Sequence, residues 1–265
     1  MPELKKRDLR TSKEQAPVTW VIHQIGSFLV GELFNGGYYR DCLHMAEAMA
    51  TQHRRVLTAM NAIRKSNSGD LESKIKHLED VSRWAGEVRS EDYHTVNTHV
   101  FITLWAAQEA GIENVISEIL RTSNQAAIIA SGKFQNGKYP LSDWPWSESM
   151  CLEIAQKLDT KAKNATDDGG VDIARRTTTL FSWFGMNIQI DDQSARKYNE
   201  ASRVRNVILH RYGQLTSRDA EEFPDLAQWV GEVLPITVDR IHSYYEAVTA
   251  MHLAIAKAVW SSEYQ

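Results

Sequence analysis

Residues 92–130 read DYHTVNTHVFITLWAAQEAGIENVISEILRTSNQAAIIA. Val96, Val100, Leu104, Trp105, Ile112, Val115, Ile116 and Ile119 recur there at helical spacings. A stripe of that period is an amphipathic α-helix, because about 3.6 residues make one turn. A half-buried strand would alternate apolar and polar residues instead, and this stretch does not. The helix is expected to bend at Gly111 or to break near Ser123.

The same period extends in both directions. Upstream, Asp70 is expected to cap a run in which Leu71, Ile75, Leu78, Val81, Ala85 and Val88 share one face. Before it, Trp20 to Phe34 reads as a short helix ended by Asn35-Gly36-Gly37, and Tyr38 to Lys65 as a longer one ended by Ser66-Asn67-Ser68-Gly69. Met45, Met49 and Met60 on that longer helix read as core or partner-facing residues. Downstream, Gly132, Gly137, Pro140 and Pro145 mark a loop from Ser131 to Pro145. Helices are then expected over Ser147–Lys163, over Val171–Phe184 after Asp167-Asp168-Gly169-Gly170, and from a cap at Asp191 or Asp192 to Gly213. Ser217 to Pro224 reads as a polar connector, and Pro235 should kink or split the last helical region, Leu226 to Trp260. No internal repeat is visible. The expectation is an all-α fold with a polar tail (1–17), an N-terminal helical extension (18–90) and a helical domain (91–265).

Composition narrows the function. The chain has 265 residues and a net charge of −4, whereas a general nucleic-acid coat protein would be basic. Cys42 and Cys151 stand far apart and form no CxxC pair, which reads as a reduced, cytoplasmic protein. The opening MPELKKRDLRTSKEQ lacks the apolar stretch of a secretory leader, and no run is apolar for long enough to span a membrane. HExxH, P-loop and GxSxG patterns are absent, so zinc peptidase, NTPase and serine hydrolase chemistry have no support.

The chemistry concentrates in Arg205-Asn206-Val207-Ile208-Leu209-His210-Arg211-Tyr212. On an ideal helix Ala201, Val204 and Ile208 share the apolar face, while Asn206 and His210, four apart, are neighbours on another. Arg203 falls within about 20° of His210. From Gln193 to Arg218 six basic residues stand against one acidic residue, Glu200, on a chain that is otherwise acidic. A histidine beside an amide and among arginines, turned off the core stripe, suits a phosphate site; the bland alternative is a solvated basic face.

RNVILHRYG resembles the signature of HEPN domains: an Arg, a polar residue after it, and a His four to six residues on, near the end of one long helix and ahead of another. The Tyr two places after the His resembles the HepT-like toxins. The resemblance implies an α-helical, homodimeric endoribonuclease of toxin or antiphage-defence type that needs no metal or other cofactor. Arg205 and His210 would be catalytic, with Asn206, Arg203, Arg211 and Tyr212 binding or orienting the substrate. RNA with exposed loops, tRNA included, is the implied substrate, because free loops let the 2′-hydroxyl align. An antitoxin or regulatory partner is also implied, since in HepT-like proteins the matching Tyr is a target for nucleotidylation. Arg205 and His210 lie about 140° apart on an ideal helix, so a site built from two facing copies suits them better than one copy does.

Two other readings stay open. A non-catalytic HEPN module would bind RNA or a partner protein without cutting. A di-metal carboxylate bundle would use acidic-x-x-His pairs; Asp41/His44, Glu91/His94 and Asp239/His242 have that spacing. Between Lys133 and Trp146, Phe134, Tyr139, Trp144 and Trp146 are interleaved with lysines. They are expected to tuck against the protein's own helices, the alternative being to stack unpaired bases.

Overall fold

In the computed structural model the stretch that decides the fold is helix α3 (His94–Thr122), which is continuous through Gly111 and ends at Ser123. The model describes residues 13–64, 69–134, 138–166 and 172–264. The expected breaks at Ser66-Asn67-Ser68 and Asp167-Asp168-Gly169-Gly170, Gly137, and the first twelve residues of the polar tail lie outside them. The described residues are all-α, with two isolated bridges, Gln214 to Val233 and Leu215 to Val230, in place of any strand. No helix among them is long and apolar enough to cross a membrane.

The helices are α1 (Pro17–Arg64), α2 (Gly69–Ser90), α3, α4 (Asn124–Gly132), α5 (Glu148–Ala165), α6 (Ile173–Ser182), α7 (Asp192–Arg211), α8 (Ser217–Glu222) and α9 (Val238–Trp260). Ser123, Ser147, Asp172, Asp191 and Thr237 each precede a helix and accept a hydrogen bond from a backbone N–H of its first turn. Such caps satisfy donors that the helix leaves unpaired, for about 1 kcal/mol each. Pro235 lies in the non-helical stretch between the 3-10 turn Pro224–Trp229 and α9, so the region is split rather than kinked.

One expected boundary is corrected. Helix α1 runs without a break through Asn35-Gly36-Gly37. Tertiary packing overrides the glycine signal here, because α1 and α3 need a close approach. A Cβ on Gly36 would stand 3.1 Å from Val100 Cγ2, and one on Gly111 would stand 2.8 Å from Ile25 Cδ1.

Helix α3 sits at the centre. Trp105, Ile116, Ile119 and Leu120 have no exposed surface, and α1, α5, α7 and α9 pack around them. Burying each such side chain contributes roughly 1.5–3 kcal/mol. Helix α1 runs antiparallel to α3, pairing Arg40 with Asn97 and Ile25 with Gly111. Its first half supplies Val18, Ile22 and Leu29 to this core. Its second half leaves the core and pairs antiparallel with α2 through Glu47–Arg89, Thr51–Ser82 and Arg54–Glu79. Packing therefore divides the chain in the middle of α1 rather than at residue 90. What stands off from the body is a hairpin made of late α1 and α2.

Candidate functional site

Helix α7 begins where Asp191 accepts the Ser194 N–H at 2.9 Å. Its buried face is Tyr198, Ala201, Val204 and Val207, with Ile208 only half-buried. The core stripe thus runs one residue earlier at its end than Ile208 would place it. The Tyr198 ring lies 4.9 Å from that of Trp105, which docks α7 on α3. Glu200 is buried, but it receives Lys197 Nζ at 2.6 Å and the Tyr244 hydroxyl at 3.0 Å, so α9 is tied on as well.

Arg205 flanks the buried face on the side of Tyr198 and is half-buried. Its guanidinium donates to Glu109 Oε2 of α3 at 2.6 Å and to Asn206 Oδ1 at 2.9 Å. Asn206 is thereby an acceptor that orients Arg205. His210 is exposed in the last turn. Helix α7 stops at Tyr212, whose backbone is left-handed (φ 53°), and the Gly213 N–H reaches back to Val207 O at 3.1 Å. This ending throws the Tyr212 side chain into solvent, where it is 89% exposed.

Arg203 and Arg211 have another engagement. Both donate to Asp219 of α8, Arg203 through Nε and Arg211 through Nη2 at 3.0 Å, and Arg211 also reaches Thr216 Oγ1. Asp219 has no exposed surface and accepts the Thr216 N–H and hydroxyl at 2.7 Å each. Burial alone would raise its pKa. The hydrogen bonds from Arg211, Thr216 and Arg203 outweigh burial and hold the carboxyl well below the usual carboxylate range. The two arginines expected to touch phosphate thus fasten α7 to α8 in this structure. Of the six basic residues between Gln193 and Arg218, Lys197, Arg203, Arg205 and Arg211 face carboxylates.

Two residues of this arrangement escaped the sequence reading. Asp219 had a signal, since Thr216-Ser217-Arg218-Asp219 has the spacing of a capping box, which it forms. Glu109 had none, because it lies 96 residues before Arg205.

The other expected constellations are placed as follows. Among the described residues no three His, Cys, Asp or Glu side chains are grouped to hold a metal ion, and the three acidic-x-x-His pairs do not converge. His94 is occupied otherwise: its Nδ1 accepts the Ile236 N–H at 2.8 Å, and burial lowers its pKa against the opposing pull of Glu91. The loop aromatics are tucked in. Tyr139 and Trp146 are buried, and Trp144 Nε1 donates to Leu120 O at 3.1 Å.

No protein-family model, curated protein or solved structure matches this chain.

Proposed function

We propose that the chain is a metal-independent endoribonuclease with a HEPN-like domain, of toxin or antiphage-defence type, acting in the cytoplasm. The observation that carries this reading is the layout of α7's last turns. His210 is exposed at the tip, while Arg205, one side chain deeper, is held in a fixed orientation by Glu109 and Asn206. Cleaving RNA without metal needs a group to take the 2′-hydroxyl proton, a group to protonate the leaving 5′-oxygen, and a cation for the charge on phosphorus. Imidazole can both take up and give a proton, so a His210 from each of two facing copies supplies the base and the acid. Arg205 is the cation; its fork binds two phosphate oxygens and never deprotonates. The 2′-oxygen displaces the 5′-oxygen, leaving a 2′,3′-cyclic phosphate and a free 5′-hydroxyl. The exposed phenol of Tyr212 is open to a modifying partner enzyme, the means by which such a toxin is restrained.

The test is digestion of total cellular RNA, tRNA included, by wild type and His210→Ala in EDTA, with fragment ends mapped. Discrete cuts ending in 2′,3′-cyclic phosphate, lowered roughly 100-fold or more by the substitution, are the expected result. Loss of wild-type cleavage in EDTA overturns the mechanism. A second reading, an RNA-binding module without cleavage, is favoured by the neutralisation of Arg205 by Glu109. It predicts salt-sensitive RNA affinity and no cuts between about pH 6 and 9.

A further inference from the structure

From Tyr38 to Ile63, α1 carries an unbroken seven-residue repeat on the face turned away from α2. Cys42, Met49, Val56 and Ile63 recur at every seventh position, and Tyr38, Met45, Gln52 and Ala59 fall between them at alternating spacings of four and three. This is the pattern of the two core positions of a coiled coil. In a single copy every one of these residues is exposed, Met45 by 60% and Ile63 by 80%. Arg54, which meets α2, lies about 160° around the helix from Val56. Late α1 therefore has two seams on opposite sides. One is filled by α2, and no helix among the described residues covers the other.

We propose that this second seam joins two copies of the chain, with their α1 helices antiparallel about a two-fold axis at the level of Glu47. The charges flanking the seam select that partner and that register. In it, Asp41 on one helix comes within two residues, about 3 Å along the axis, of the partner's Arg55 on the same flank of the seam, and the symmetry makes the pair twice; both side chains are exposed in the single copy. Met45 then packs beside the partner's Met49, Tyr38 beside the partner's Val56, and Cys42 beside the partner's Gln52. The small side chains of Ala46 and Ala48 flank the axis, where the helices approach most closely.

The same register reaches a second apolar feature. An apolar groove of about 830 Å³ lies between early α1 and α9, lined by Val30, Gly31, Phe34, Leu253 and Trp260 among others. Antiparallel pairing about Glu47 carries the partner's Met60 to the level of Phe34 and the partner's Ile63 to that of Gly31, at the mouth of this groove. In this register the seams overlap from Tyr38 to Val56, about 27 Å, and with a helix about 10 Å wide this is roughly 540 Å² over both copies in flat projection. At each end residues 57–63 lie against the partner's 31–37, which lengthens the contact to about 48 Å and roughly 960 Å² in the same projection, close to the roughly 1,000 Å² of a specific interface. The proposal rests on α1 and not on the reading of α7. Arg205 meets α3 at Glu109, level with early α1, so this pairing keeps the two His210 residues apart. The two facing copies of the ribonuclease reading are a second contact, made on RNA.

Light scattering on the purified full-length chain at micromolar concentration, free of RNA, is expected to give the mass of a dimer. The triple substitution Met45→Glu, Met49→Glu, Val56→Glu should give a monomer with unchanged far-UV circular dichroism, since all three side chains are exposed within one copy. His210→Ala should leave the dimer intact, which separates this interface from any pairing of α7. The register is read by cross-linking. Gln52→Cys under mild oxidation should yield a disulfide-linked dimer through Cys42. The wild type should not, because its two Cys42 residues lie about 15 Å apart along the axis and Cys151 is buried. Asp41→Arg should weaken the dimer roughly tenfold, and adding Arg55→Asp should restore it. A monomeric wild type, a dimer that survives the triple substitution, or a wild-type cross-link through Cys42, which signals parallel helices, would each overturn the proposal.

Discussion

At the scale of single residues, the chemistry near the end of α7 is governed by two carboxylates that neutralise its arginines. Asp219 is the deeper one, wholly buried and receiving four hydrogen bonds, from Arg203, Arg211 and both donors of Thr216. Removing one partner of a buried charge pair leaves the others uncompensated, at a cost of about 3–5 kcal/mol. Asp219→Asn should therefore lower the midpoint of urea unfolding by an amount corresponding to that loss, while Arg218→Ala, on an exposed side chain, should leave it unchanged. Glu109 is different in kind. It is partly exposed and pairs with Arg205 at the surface, where such a bridge contributes about 0–1 kcal/mol. Its carboxylate competes with phosphate for the same guanidinium. On the nuclease reading, Glu109→Gln is expected to tighten RNA binding about fivefold, the equivalent of roughly 1 kcal/mol, with little change in stability. Unchanged affinity in a filter-binding titration would show that Arg205 serves only to hold α7 on α3.

At the scale of elements, the glycines give the sharpest contrast, because two in the middle of helices meet opposite surroundings. Gly111 lies where Ile25 occupies the space of a side chain, with three of its carbons within 3.1 Å of the missing Cβ; at Gly37 nothing stands within 4 Å. Gly111→Ala should overpack the contact between α1 and α3 and cost about 1–3 kcal/mol. Gly37→Ala should gain up to about 1 kcal/mol of helix propensity. Opposite shifts in thermal midpoint are the measurement. The same pair explains which elements were legible in the sequence. Apolar period and caps gave the all-α class, the break at Ser123, the Asp191 cap and the separation of α9 at Pro235. Asn35-Gly36-Gly37 misled, because local propensity says nothing of a neighbouring helix that needs the space. The candidate site was half legible for a related reason. Its exposed members, His210 and Tyr212, stand in a local motif. Its restraining carboxylates come from α3 and α8, and only the one inside a capping box had a local signature.

At the scale of the whole molecule, α9 is the element on which the packing closes, and two histidines, one half-buried and one buried, stand at its ends. His94, at the start of α3, accepts the Ile236 N–H just before α9. His252, near the other end, lies under Gly26 of α1, its Nε2 3.0 Å from where a Cβ would be. Burial lowers both pKa values; Glu91 opposes the shift at His94, and His23 adds to it at His252. A lowered folded-state pKa means that the native protein favours the neutral ring. Above the unfolded value of about 6.5 both states are neutral, and the full stability is present. As pH falls below it the unfolded chain takes up protons that the folded chain resists, and stability is lost until the folded pKa is passed. The His94 ring has a second reason to resist, since a protonated Nδ1 can no longer accept the Ile236 N–H. The thermal midpoint should therefore be flat between about pH 8 and 7 and fall between about 6.5 and 5, by roughly 2–4 °C for each kcal/mol lost in a chain of this size. His94→Gln, which keeps an acceptor but does not titrate, should flatten part of that fall, and adding His252→Gln most of the rest. Carboxylates such as Asp219, held low in the native state, contribute their own loss only at more acidic pH. A double variant that fell as steeply as wild type across this window would show that the loss lies in groups other than these two rings.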